Sequence, residues 1–242
     1  MLAPSNRGSA AMAEPEFLIV ECIYSGMTQL DFTGPHTVFS RIPGARTIVA
    51  SEPGGPIESD GGLVFAGTRR MAEIARCDLL FVPGGYAATE TANDEVFLRE
   101  FRRLAASARY LTSVCSGSLV LGAAGLLKGK RAACHWAWRH LLPLFGAIPD
   151  PARVVRDGAI ITGGGVTAGI DFALVVAAEI GGDALAQSLQ LAIEYAPAPP
   201  FDAGRPETAP PGVLAAVQAR MAPQLAERTA AVERAAARLE RA

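Results

Sequence analysis

The sequence predicts an α/β sandwich on a mostly parallel sheet, and three observations predict it. Apolar runs of strand length recur without polar alternation, as in "FLIVECIY", the pattern of strands buried on both faces of a parallel sheet. Helical patterns separate many of these runs. Three runs end in loops rich in glycine or small residues, and open α/β sheets bind ligands beyond the carboxyl ends of their strands.

Taken in order, residues 17–24 form the first expected strand. "SGMTQLDFTGPHTVFSRI" follows as a loop and a short helix, with Gly34 ahead of Pro35 in the favoured first turn. Further strands are expected at 47–50, 63–66, 79–82, 110–114, 131–133, 154–156 and 159–162. In "VVRDGAII", Asp157-Gly158 supplies the positive-φ turn of a hairpin. Helices are expected at 94–106, 116–127, 136–142, 167–180 and 183–193. The Pro-rich "EYAPAPPFDAGRPETAPPG" cannot continue a helix. It leads into an Ala- and Arg-rich amphipathic helix, interrupted at Pro223 and packed on the domain or on a dimer partner. The expected organisation is an N-terminal lead of residues 1–15 without regular structure, a single α/β domain over 16–210, and a helical segment over 211–242.

Composition excludes several function classes. Lys plus Arg number 22 against 24 Asp plus Glu, and the basic residues form no stripe, so no nucleic-acid partner is expected. The leader has one Arg and no apolar core, unlike a signal peptide. The four cysteines, Cys22, Cys77, Cys115 and Cys134, show no C-x-x-C pair and no metal-type spacing. Free thiols in a reducing, cytoplasmic setting are expected, with no metal. The longest uncharged run, "YLTSVCSGSLVLGAAGLL" at 110–127, has a membrane-like length. Its β-branched and aromatic first part, small polar middle and helix-forming end instead predict a buried strand, a turn and a buried helix.

Cys115 sits at that turn. A free cysteine is commonly a packing residue, but a strand-to-helix elbow places it at a helix N-terminus, which favours the thiolate, with small neighbours leaving the sulfur accessible. None of the histidines (His36, His135, His140) directly follows it, and Ser116 does. Asp31 in "QLDFTGP", just before a helix, is the candidate acid, because partial burial beside a thiolate raises a carboxyl pKa. The "PGGY" loop offers Gly84, Gly85 and Tyr86, with the Gly85 and Ser116 amides as donors for developing negative charge. "GGGVTAG" lacks the Lys-Ser/Thr of a phosphate loop and is read as close packing near Cys115. His135, in "HWAWRH", is placed near the pocket.

Together "QLDFTGPH", "PGG", "YLTSVCSGSLVLGAAGLLKGKRA", "HWAW", "VVRDGAIITGGGVTAGIDFAL" and "EYAPAPPFDAG" resemble the Parkinson-associated-protein and intracellular-protease superfamily, in its bacterial isocyanide hydratase branch. The resemblance runs over about residues 16–210 and implies a flavodoxin-like three-layer sandwich, similar to type I glutamine amidotransferases. It implies Cys115 as nucleophile and Asp31 as essential carboxylate. Ser116 stands where similar hydratases carry threonine, and Val166 replaces a similar β-branched residue near the cysteine. The implied reaction is hydration of an isocyanide to an N-formamide through a cysteine thioimidate, without metal or organic cofactor. The implied partner is a small isocyanide, with no nucleic acid or membrane, in a homodimer. Two other readings use the same residues: deglycase or glyoxalase action on reactive carbonyls, and a non-enzymatic ligand- or redox-sensing domain like those of arabinose-operon-type regulators.

Overall fold

The computed structural model describes residues 17–241. The expected N-terminal lead therefore lies outside the described residues. An eight-stranded sheet forms the centre, built from β1 (Phe17–Cys22), β2 (Ala45–Ser51), β3 (Gly55–Glu58), β4 (Val64–Arg70), β5 (Leu79–Val82), β6 (Tyr110–Val114), β9 (Val154–Asp157) and β10 (Ile160–Gly163). Two short strands, β7 (Arg131–Ala132) and β8 (Ile148–Pro149), pair separately. The spatial order is β3-β4-β2-β1-β5-β6-β10-β9. The sheet is parallel except where the outer hairpins β3–β4 and β9–β10 close its two edges.

The helices are α1 (Gln29–Phe39), α2 (Ala88–Thr91), α3 (Glu95–Ala105), α4 (Gly117–Ala123), α5 (Ala168–Gly181), α6 (Asp183–Ala192) and α7 (Pro211–Leu239). They divide between the two faces of the sheet. Val20, Leu80 and Val82 point into one core with Phe97 and Phe101 of α3, Leu119 of α4 and Val232 of α7. Their neighbours Ile19, Leu79 and Phe81 point into the other, with Phe39 of α1, Phe172 of α5 and Leu189 of α6. Each central strand buries both rows of side chains between helical layers, which is why it reads as a continuous apolar run. The fold is the expected three-layer α/β sandwich. The uncharged run 110–127 is β6, an elbow and α4, and among the described residues no helix is long and apolar enough to cross a membrane.

Two expectations about proline are corrected. The first helix begins at Gln29, so Pro35 lies in its interior and not in its first turn. Pro35 cannot donate to the Asp31 carbonyl, and its ring packs against α5 at Gly169, where a Cβ would lie 3.0 Å from Pro35 Cδ. Likewise α7 runs unbroken through Pro223. Ala219, whose carbonyl loses its helical donor, is exposed and so open to water. The segment expected at 136–142 is a 3-10 turn over Arg139–Phe145, with Pro143 inside it.

Candidate active site

The carboxyl ends of the adjacent strands β1, β5 and β6 bring together the loop before α1, the "PGGY" loop and the elbow at Cys115. The chain turns outward in opposite directions from β1 and β5, the crevice where doubly wound sheets bind ligands.

Cys115 has φ 58°, one of two non-glycine residues with positive φ among those described. A conformation of this kind costs roughly 1–3 kcal/mol and persists only where its surroundings hold it. Here its N–H donates to the carbonyls of Gly163 (3.1 Å) and Gly164 (2.8 Å) at the end of β10. The turn also needs Gly117, since a Cβ there would sit 2.5 Å from the Val82 carbonyl oxygen. Below it, Ser118 Oγ donates to the Ala133 carbonyl at 2.6 Å and meets Ser113 Oγ at 2.9 Å.

Asp31 lies in the first turn of α1, not in the loop ahead of it, and is wholly buried. Neither carboxyl oxygen has a partner of regular hydrogen-bond geometry. Burial pushes its pKa up to about 7, opposed by the Cys115 thiol and the Gly84 amide, which favour the ionised form. The thiol departs from expectation. Cys115 is only 6% exposed, and burial, followed by the charge of Asp31, holds its pKa well above the ordinary thiol value. The helix N-terminus contributes only the Ser116 N–H against these effects, so the resting sulfur is an enclosed thiol beside a carboxylate.

The three residues of "GGY" each meet a different part of the site. Gly84 is wedged into the pair: a Cβ on it would lie 2.6 Å from Ser116 N, 2.7 Å from Asp31 Oδ2 and 2.8 Å from Cys115 Cβ. Its carbonyl accepts from Thr28 N–H at 3.0 Å, tying this loop to the start of α1. Gly85 is clasped by Ser116, whose hydroxyl accepts the Gly85 N–H (3.0 Å) and donates to the Gly85 carbonyl (3.1 Å). That N–H, expected to face a substrate, is therefore engaged. Tyr86 has an exposed side chain and gives its carbonyl to Arg228. Val166, half-buried, packs against the cluster that contains Cys115.

His135 borders the glycine loop, where a Cβ on Gly165 would meet its Cδ2 at 2.9 Å. Burial and the nearby Arg228 charge bring its pKa down to about 4, and its Nδ1 accepts the Ala137 N–H. It is a neutral wall residue. His36 pairs instead with the buried Glu21 at 2.6 Å.

Arg228 was not legible as a site residue. It comes from α7, is 6% exposed, and stacks on Trp138 and Tyr86 with its guanidinium carbon 4.4 and 5.4 Å from the ring centres. In sequence it is one arginine of an Arg-rich helix, and only its burial distinguishes it. Trp138 also lines an apolar cleft of about 320 Å³ with Trp136, Met221 and Leu225. Among the described residues, no group of three or more His, Cys, Asp and Glu could hold a metal ion.

Comparison with known proteins adds four likenesses. The chain matches the DJ-1/PfpI family over residues 18–179. It is 50% identical over 217 residues to an isonitrile hydratase of Pseudomonas putida, across 90% of this chain and 95% of that protein. The crystal structure of a THiJ/PfpI family protein from Pseudomonas syringae superposes with a TM-score of 0.86 at 40% identity, covering 97% of each chain. An HTH-type transcriptional regulator of Pseudomonas aeruginosa is 31% identical over 57% of this chain, which spans 41% of that regulator.

Proposed function

This chain belongs to the DJ-1/PfpI family, and we propose that it hydrates isocyanides, R–N≡C, to N-formamides through a thioimidate on Cys115. The observation that carries this reading is the buried pair itself. A carboxyl with a pKa about 7 is set against an enclosed thiol of much higher pKa, so from neutral pH upward the pair holds a single proton. Likeness to the Pseudomonas putida isonitrile hydratase over most of both chains supports the substrate class.

A pair holding one mobile proton can do this chemistry. Sγ bonds to the terminal isocyanide carbon as its proton passes to Asp31, and Asp31 delivers that proton to the same carbon, leaving R–N=CH–S–Cys115 and a carboxylate. Asp31 next takes a proton from water as the water oxygen bonds to the thioimidate carbon, and gives it to nitrogen, forming R–NH–CH(OH)–S–Cys115. Finally Asp31 accepts the hydroxyl proton as the C–S bond breaks. The formamide R–NH–CHO leaves, and the proton returns to sulfur.

In this scheme Ser116 acts as a positioning residue through Gly85, and its N–H steadies the sulfur anion. The Gly84 N–H steadies the carboxylate. Gly85, Tyr86 and Val166 form the wall. The reading also carries residues 16–210 as one catalytic α/β unit with 211–242 as its helical closure, in a cytoplasmic homodimer, without metal, organic cofactor, nucleic acid or membrane. Formamide release from 4-nitrophenyl isocyanide by the purified protein, lost in both Cys115→Ala and Asp31→Asn, is the expected result. An inactive native protein that turns over α-oxoaldehydes would replace this reading with the carbonyl one.

A further inference from the structure

We propose that Arg228 is a substrate-binding residue that pairs with a carboxylate, so that the preferred substrate is an isocyanide carrying a carboxylate on its organic group. The inference rests on the hydratase reading and extends it to the substrate's second functional group.

Among the described residues, Arg228 is the only lysine or arginine buried to below a tenth of its surface. Its contacts account for part of the guanidinium. Nη2 donates to the Tyr86 carbonyl at 2.8 Å, and the group stacks on the Trp138 and Tyr86 rings, which fixes its plane. Nη1 is buried with no hydrogen-bond partner. A buried charged donor left unpaired is expensive, and the fork geometry of arginine suits an oxygen anion best. The carboxylate that attracts it from the protein, Glu90, is exposed. The neighbouring Tyr24 hydroxyl already donates to the Pro83 carbonyl at 2.9 Å.

The unused donor belongs to the site. Arg228 interacts electrostatically with Cys115 and Tyr24, and it holds the carbonyl of the residue two positions after Gly84, the wedge between Asp31 and Cys115. An isocyanide group is uncharged and offers Nη1 no anionic partner, so the partner sits elsewhere on the substrate. The cleft that shares Trp138 is lined mainly by apolar side chains and suits a hydrocarbon group.

The test uses Cys115 as a reporter and needs no turnover. The rates of Cys115 alkylation by iodoacetate and by iodoacetamide, followed on the Cys115 peptide by mass spectrometry, give a ratio for each protein. The iodoacetate-to-iodoacetamide ratio of the native protein should fall about tenfold or more in Arg228→Met, with Arg228→Lys between them. Equal ratios in native and Arg228→Met proteins overturn the proposal. If Arg228→Met does not fold, the native protein decides: 4-formamidobenzoate must raise Tm more than N-phenylformamide does, and equal shifts overturn it. Failure here leaves the hydratase reading standing, whereas failure of the isocyanide assay leaves these ratios unchanged.

Discussion

The carboxyl of Asp31 and the thiol of Cys115 meet where Gly84 alone fits between them: a Cβ at residue 84 would come within 2.7 Å of Asp31 Oδ2 and 2.8 Å of Cys115 Cβ. The loop after β5 thereby sets the separation of two groups carried by the first turn of α1 and by the elbow after β6. Gly84→Ala should cost about 1–3 kcal/mol by overpacking and should reduce kcat/KM for an isocyanide by roughly 100-fold, because small misplacements of reacting groups are costly. Denaturant melts and steady-state kinetics check both. An alanine variant with native kinetics would show that the wedge does not set the pair.

The pH dependence follows from the one-proton state. Below the pKa of about 7 held by Asp31, carboxyl and thiol are both protonated and the sulfur has no base. kcat/KM should therefore fall about tenfold per pH unit below 7. It should stay level above that point until the thiol itself ionises, which burial and Asp31 delay to well above the ordinary thiol range. A profile flat from pH 5 to 8 would remove Asp31 from the chemistry.

The same burial costs stability. Asp31 has its folded pKa raised from 3.8 to about 7, so its contribution is fully present below 3.8 and is lost as pH rises through 7. The gap corresponds to roughly 4 kcal/mol at most. Asp31→Asn, neutral and of similar shape, should then be more stable than the native protein at pH 8 and close to it at pH 4, while inactive. Thermal melts at the two pH values measure this. Equal differences at both would mean that folding does not raise the pKa of this carboxyl.

Ser116 is predicted to act through Gly85. Ser116→Ala leaves the Gly85 N–H buried without its hydroxyl partner and the Gly85 carbonyl with the Ala88 N–H alone, a loss of about 1–3 kcal/mol. Ser116→Thr retains the hydroxyl and should restore most of both stability and kcat. If Ser116→Thr behaves like Ser116→Ala, the hydroxyl bridge is not what matters.

The central sheet was legible because its strands are buried on both faces. Residues 79–82 appear as an uninterrupted apolar run and 110–114 as a β-branched and aromatic stretch without charge, and they form β5 and β6 over those same residues. The edge strand β3 escaped notice because "GPIE" opens on Gly-Pro and pairs only along one side. The start of α1 was misplaced because Gly34-Pro35 looks like a helix beginning, and the packing of Pro35 against Gly169, 134 residues away in the chain, is shown by no local pattern. Cys115 and Asp31 could be singled out from their places at strand ends. The enclosed state of the thiol could not be, since Cys115 is buried by packing with segments far from it in the chain, among them α1 and α5. Arg228 is the same case: its helix announces charge, and only packing against Trp138 and Tyr86 separates it from its exposed neighbours.

The central claim is that Cys115 and Asp31 together add an isocyanide to sulfur. The most direct test is a single-turnover reaction with 4-nitrophenyl isocyanide, acid-quenched over time and read by peptide mass spectrometry. The account predicts that the Cys115 peptide transiently gains the full mass of the isocyanide before formamide appears, and that Asp31→Asn shows no such gain. Formamide accumulating while the Cys115 peptide stays unmodified at every time point would contradict it.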